Sequence, residues 1–174
     1  MKKILLSLYI AVFSIAGFSF TVAYNNPPLP LCNALLKVMK EEPSEFATLK
    51  GTIVSETADV KTYNSKVVFD GWVSSEYSNS EGAISIDVQS LSTTKAKAQE
   101  LFKTTGKQLA ECLEMQGASL QAKGVDELLI FTKSKCDVAL MLVTKEGKSF
   151  VMISISRESD SNLNALFTNA CYFV

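Results

Sequence analysis

A chain of 174 residues with 17 basic residues, 18 acidic residues and no histidine excludes several functions before any pattern is read. Near-neutral charge leaves no electrostatic footprint for nucleic acid or an anionic membrane surface. Without histidine, Ser-His-Asp and Cys-His catalysis and the ordinary proton shuttle near neutral pH are not available.

Lys2 and Lys3 precede an almost unbroken apolar run from Ile4 to Phe20, and Thr21-Val22-Ala23 follows as a processing position. This is the layout of a secretory signal peptide over residues 1–23. Ser7, Ser14, Gly17 and Ser19 dilute the run, which is only just long enough to span a bilayer. Cleavage near Ala23 is therefore expected, with no stable membrane insertion afterwards, and the short Met-Lys-Lys start suits a bacterial Sec route to the periplasm or the exterior. Residues 24–30, carrying Pro27, Pro28 and Pro30, read as an extended leader. Residues 31–174 are long enough to form one domain around its own core. Cys32 follows Pro30-Leu31 rather than small residues, which argues against lipidation.

The first helix is expected from Leu31. Leu31, Ala34, Leu35, Val38 and Met39 fall on one stripe at helical spacing. Pro43 stops that helix, and Ser44 is placed to cap a short turn that runs through Leu49 to Gly51. The period then changes to two. Thr52–Glu56 and Tyr63–Asp70 read as strands, Trp72–Gly82 as a serine-rich loop, and Ala83–Gln89 as a half-buried strand with Ile84, Ile86 and Val88 inward. Ser92 or Thr93 is expected to open the longest helix, which runs to about Met115 and lines its inner face with Ala98, Leu101, Phe102, Thr105, Leu109, Cys112 and Leu113. Three more strands follow: Glu127–Lys133, Cys136–Val143 and Ser149–Arg157. Asp160 or Ser161 is placed to cap a short terminal helix leading to Cys171. No internal repeat is visible.

The expected fold class is α+β: an antiparallel sheet of about five or six strands, two main helices packed on one face, in the order α-β-β-β-α-β-β-β-(α). In order of elements alone this resembles the secretion-chaperone fold. The likeness implies architecture and nothing more.

Four cysteines survive removal of the signal, and an even count in an exported chain reads as two disulfides. The preferred pairing is Cys32–Cys112 with Cys136–Cys171; the alternative is Cys32–Cys171 with Cys112–Cys136. Their wide spacing, together with the absence of histidine, fits neither a redox pair nor a zinc site, so no metal and no cofactor is expected.

Candidate chemistry is sparse. Ser92-Thr93-Thr94-Lys95 matches the Ser-x-x-Lys spacing of penicillin-recognising enzymes, without their companion elements, and reads better as a helix start. Asp70, Glu76, Glu81 and Asp87 cluster in sequence and offer an alternative reading as a small carboxylate-dependent hydrolase. The leading expectation is a non-enzymatic, disulfide-braced binding module. It would engage a protein partner through Trp72, Tyr77 and Asn79, large aromatics among adaptable polar residues.

Overall fold

The computed structural model describes residues 30–58, 60–80 and 83–157. The chain begins with α1 (Pro30–Lys40) and two 3-10 turns (Glu42–Ser44 and Ala47–Leu49). A four-stranded meander follows: β1 (Lys50–Glu56), β2 (Val60–Ser65), β3 (Ser74–Ser80) and β4 (Ala83–Gln89). Helix α2 (Lys95–Leu113) then leads to a second meander of β5 (Ala118–Leu120), β6 (Glu127–Lys133), β7 (Cys136–Lys145) and β8 (Lys148–Arg157). All neighbouring strands are antiparallel, in the order β1-β2-β3-β4-β8-β7-β6-β5. The fold is α+β with one eight-stranded sheet.

Helix followed by four strands thus occurs twice, and the two halves meet through their last strands, β4 and β8. The sequence carries no repeat that would announce this. Topology alone shows it.

Five or six strands were expected, and two had escaped the alternation of apolar residues. Ser74–Ser80 is not a loop; it pairs with both β2 and β4 along its length. Its residues are polar except for Tyr77, so no apolar alternation marks it, although serines sit well enough on a half-covered pleat. The other addition, β5, is a three-residue edge strand. The strand expected over Tyr63–Asp70 ends at Ser65, and Val67 and Phe69 are buried from a connection rather than from a pleat. The Ser65 hydroxyl accepts the Val67 N–H there, and Lys66 N–H reaches the carbonyl of Leu49.

Helix starts are set by backbone more than by side-chain caps. Thr94, not Ser92 or Thr93, is the N-cap of α2, and no side chain caps it. Thr93 instead exchanges two backbone bonds with Ser149 at 2.7 and 2.9 Å, which fixes the helix entry to the sheet. Ser44 caps nothing downstream; its hydroxyl donates back to the Glu41 carbonyl. Gly51 lets β1 cross close to β2, since a Cβ there would stand 2.6 Å from the Asn64 carbonyl oxygen.

Helix α2 packs on β6, β7 and β8, and α1 packs against α2. Leu35 and Val38 of α1, Phe102 and Leu109 of α2, and Leu140 and Ile153 of the central strands belong to one apolar cluster. Arg157 ties the end of β8 to the first 3-10 turn, its guanidinium lying 3.0 Å from Glu42 and 2.9 Å from Glu45. A second, smaller cluster lies on the opposite face. Among the described residues no helix is long and apolar enough to cross a membrane. The expected signal peptide, the leader before Pro30 and the terminal helix lie outside the described residues.

Candidate functional site

The connection between β2 and β3 builds an open recess among the described residues. Phe69 and Trp72 close a turn through a carbonyl–amide bond of 3.1 Å, with Gly71 at φ 84°, the left-handed region that glycine enters without penalty. The turn sends alternate side chains to opposite sides. Val67 and Phe69 enter the core, while Val68 and Val73 are left 76 % and 59 % exposed. Trp72 stays half-buried, packed against the core margin.

Between these side chains lies an open groove of about 210 Å³. Asn64 and Ser65 line it from the end of β2, Val67, Val68, Phe69, Trp72 and Val73 from the connection, and Ser74 and Ser75 from the start of β3. Val73 N–H donates to the Gln89 carbonyl at 2.8 Å, and two residues beyond Gln89 a further apolar side chain, Leu91, is 72 % exposed. Apolar and polar side chains thus line one recess together, which can take an apolar side chain with polar groups beside it.

Of the three aromatic and polar residues singled out in the sequence, only Trp72 lines this groove. Tyr77 projects from β3 into the core at 4 % exposure, edge-to-face with Tyr63 at 5.7 Å. Burial, and then the charge of Glu45, push its phenol up from the ordinary value. The Lys50 ammonium lies 3.8 Å from the centre of the Tyr63 ring, so this cluster is a structural pier. Asn79 stands in β3 opposite Lys61 and Ile84, away from the groove. The loop expected to present all three is a strand, and a strand turns Tyr77 inward. Sequence reasoning missed Val68 and Val73. The adjacent pair Val67-Val68 was the available signal, because two consecutive apolar residues cannot both face one side of an extended segment.

The carboxylates divide as well. Glu76 and Asp87 are cross-strand partners on the face away from the helices. The Ser154 hydroxyl donates to Asp87 Oδ1 at 2.5 Å and the Ser85 hydroxyl to Oδ2 at 2.7 Å. Burial pushes the Asp87 carboxyl up, against those hydrogen bonds. Glu76 is raised by burial and then by the Asp87 charge. Each oxygen of Asp87 is committed to a sheet hydroxyl, which is what a structural buried acid needs. Asp70 sits exposed on the turn, and Glu81 lies outside the described residues. In the Ser-x-x-Lys match, Ser92 is exposed, and the Lys95 ammonium lies 3.3 Å from Asp126. Among the described residues no three histidine, cysteine or acidic side chains stand close enough to hold a metal ion.

Cys32, in the first turn of α1, is bonded to Cys112, in the last turn of α2, with Cα atoms 5.6 Å apart. Cys136 is a buried thiol on β7. Its expected partner, Cys171, lies outside the described residues. Comparisons with known proteins give no match, whether to a family model, to a curated protein or to a solved structure.

Proposed function

We propose that this chain is an exported, disulfide-braced binding module that grips a protein partner in the groove beside the β2–β3 connection. The observation that carries the reading is the pair of exposed valines, Val68 and Val73, flanking a half-buried Trp72 around an open recess. A single apolar residue on a surface needs no explanation, whereas several around a concavity are the usual form of an anchor site. Export is supported by the signal-like first 23 residues and by a sulfur–sulfur link that persists in an oxidising compartment. The partner would insert an apolar side chain beside Trp72 and meet Asn64 and Ser74 with polar groups.

Trp72 is the only tryptophan, so its fluorescence reports on the groove alone. Mature protein is titrated with partner recovered from cell-envelope extracts, and emission is expected to shift to the blue as the ring loses water. Val68→Asp and Val73→Asp, both at exposed positions, should abolish that shift and the capture while circular dichroism stays native. Capture that survives both changes removes the groove from the reading. Tyr77→Ala is not a useful probe, since it excavates the core.

A further inference from the structure

We propose that two copies of this chain join edge to edge through β1, the two strands running antiparallel about Ile53. β1 ends the sheet, with β2 on one side and, among the described residues, no strand on the other. From Thr52 to Glu56 every residue is exposed, and Ile53 and Val54 each keep 53 % of their surface in water. A strand of seven residues in that position offers a row of backbone donors and acceptors to another strand. The opposite edge is a poorer template, since β5 is only three residues long.

The register on β2 selects the occupant. Lys50, Ile53 and Glu56 stand opposite Ser65, Tyr63 and Lys61. Those β2 positions are alternate residues, so the three β1 side chains share the face on which Tyr63 packs against the main core. The Lys50 ammonium lies 3.8 Å from the centre of the Tyr63 ring, and Glu56 lies 2.6 Å from Lys61, in agreement with that placement. Between Lys50 and Ile53 two residues of β1 face one of β2, and the same holds between Ile53 and Glu56. A cation and an anion are thereby set at equal distances on either side of an exposed isoleucine, each about 7 Å from it along the strand.

Turned around, this pattern is its own complement. Antiparallel pairing that sets Ile53 opposite its counterpart also sets Lys50 of each copy opposite Glu56 of the other. The two-against-one stretches coincide as well, Gly51-Thr52 of one copy meeting Val54-Ser55 of the other. A regular strand from an unrelated protein would meet these bulges out of step. In-register parallel pairing would set Lys50 against Lys50 and Glu56 against Glu56, which like charge opposes. The two charges therefore guard the edge against other strands and admit one register of self-pairing. Contact confined to one strand of each copy is small, so the association is reversible and depends on concentration.

The test is sedimentation of the mature chain over a dilution series reaching roughly 1 mM, where even weak specific pairing is populated. Hydrogen exchange of β1 is read at both ends of the series. The expected result is a mass that rises from one chain to two, with β1 amides open in the dilute monomer and protected in the concentrated sample. Lys50→Glu or Glu56→Lys alone sets like charges opposite each other at both ends of the pairing, and each should weaken self-association roughly tenfold. An equimolar mixture of the two variants pairs opposite charges again and should recover association, a result that no change within either monomer would produce. If a single variant fails to fold, the chain carrying both changes decides, since it also pairs opposite charges and should associate as the wild type does. A chain that stays monomeric throughout the series overturns the proposal. So does a dimer indifferent to both single changes, or a mixture no better than its components. β1 amides protected at every concentration overturn it too, because a segment of the same chain would then cover the edge.

Discussion

Removing the Cys32–Cys112 bond, by changing both residues to serine, tests how much of the fold depends on the link between the helices. The bond joins positions 80 apart in sequence. In the loop-entropy account, a closed loop of that size restricts the unfolded chain by about 4.5 kcal/mol at 25 °C. Both cysteines are only half-buried, so the serine pair loses little apolar burial and the change falls mainly on the unfolded state. For a domain of this size the loss corresponds to a melting temperature lower by roughly 9–18 °C. Urea unfolding of the mature chain, followed by the single tryptophan and by far-ultraviolet dichroism, measures it directly. Reductant should lower the wild-type midpoint to that of the serine pair and leave the variant where it is. A serine pair within about 1 kcal/mol of the wild type would refute the reasoning, because it would mean that the unfolded chain gains no freedom when the link is cut.

Two further outcomes follow from buried titratable groups. Burial, then the charges of Glu42 and Asp137, push the Cys136 thiol up to about 11. Native protein should therefore leave Cys136 unalkylated by iodoacetamide at mildly alkaline pH, and denaturant without reductant should expose it; absence of label even then, read by peptide mass, means that it is oxidised. Asp87 and Glu76 are both held above the ordinary carboxylate value, so above that value the folded state binds more protons than the unfolded one. Stability from this pair is thus fully present below the ordinary value and is lost as pH rises through the raised ones. Denaturant midpoints between about pH 4 and 7 should fall less steeply in Asp87→Asn than in the wild type, and parallel curves would exclude Asp87 as the source.

How much of this was legible in the sequence depends on which residues mark each element. The helices were, because Leu31, Leu35 and Val38, and Ala98, Phe102 and Leu109, repeat at helical spacing and are buried as that spacing demands. So were β4, β6, β7 and β8, whose apolar content leaves little room for another reading. β3 was not. A strand of four serines, one asparagine and one glutamate around Tyr77 has no periodic apolar face, and it is held by pairing to β2 and β4, which only the tertiary structure supplies. That one omission also displaced the candidate site. Treating 72–82 as a loop put Tyr77 and Asn79 beside Trp72, whereas the pleat sends Tyr77 to the core and leaves Val68 and Val73 as the exposed apolar neighbours.

The groove lies where a firmly packed half of the sheet passes into a loosely packed one. Every residue of β1 from Thr52 to Glu56 is exposed, including Ile53 and Val54 at 53 % each. β7, by contrast, buries eight residues in succession. β1 is therefore held mainly by its hydrogen bonds to β2, and by an exposed ion pair between Lys61 and Glu56 that contributes little. Local opening should need far less free energy in β1 than in β7. Hydrogen exchange read by mass spectrometry is expected to show β1 amides exchanging first among the strands from β1 to β4, with β4 protected at the level of β7 and β8. Asn64, Ser65 and Ser74 stand at the root of this wing, so a partner filling the groove would bridge the firm and the loose parts and slow exchange in β1 and β2 at a distance from its own contacts. Equal protection of β1 and β7 in the free protein would show instead that the wing is as tightly held as the core, and a partner would then have nothing there to order.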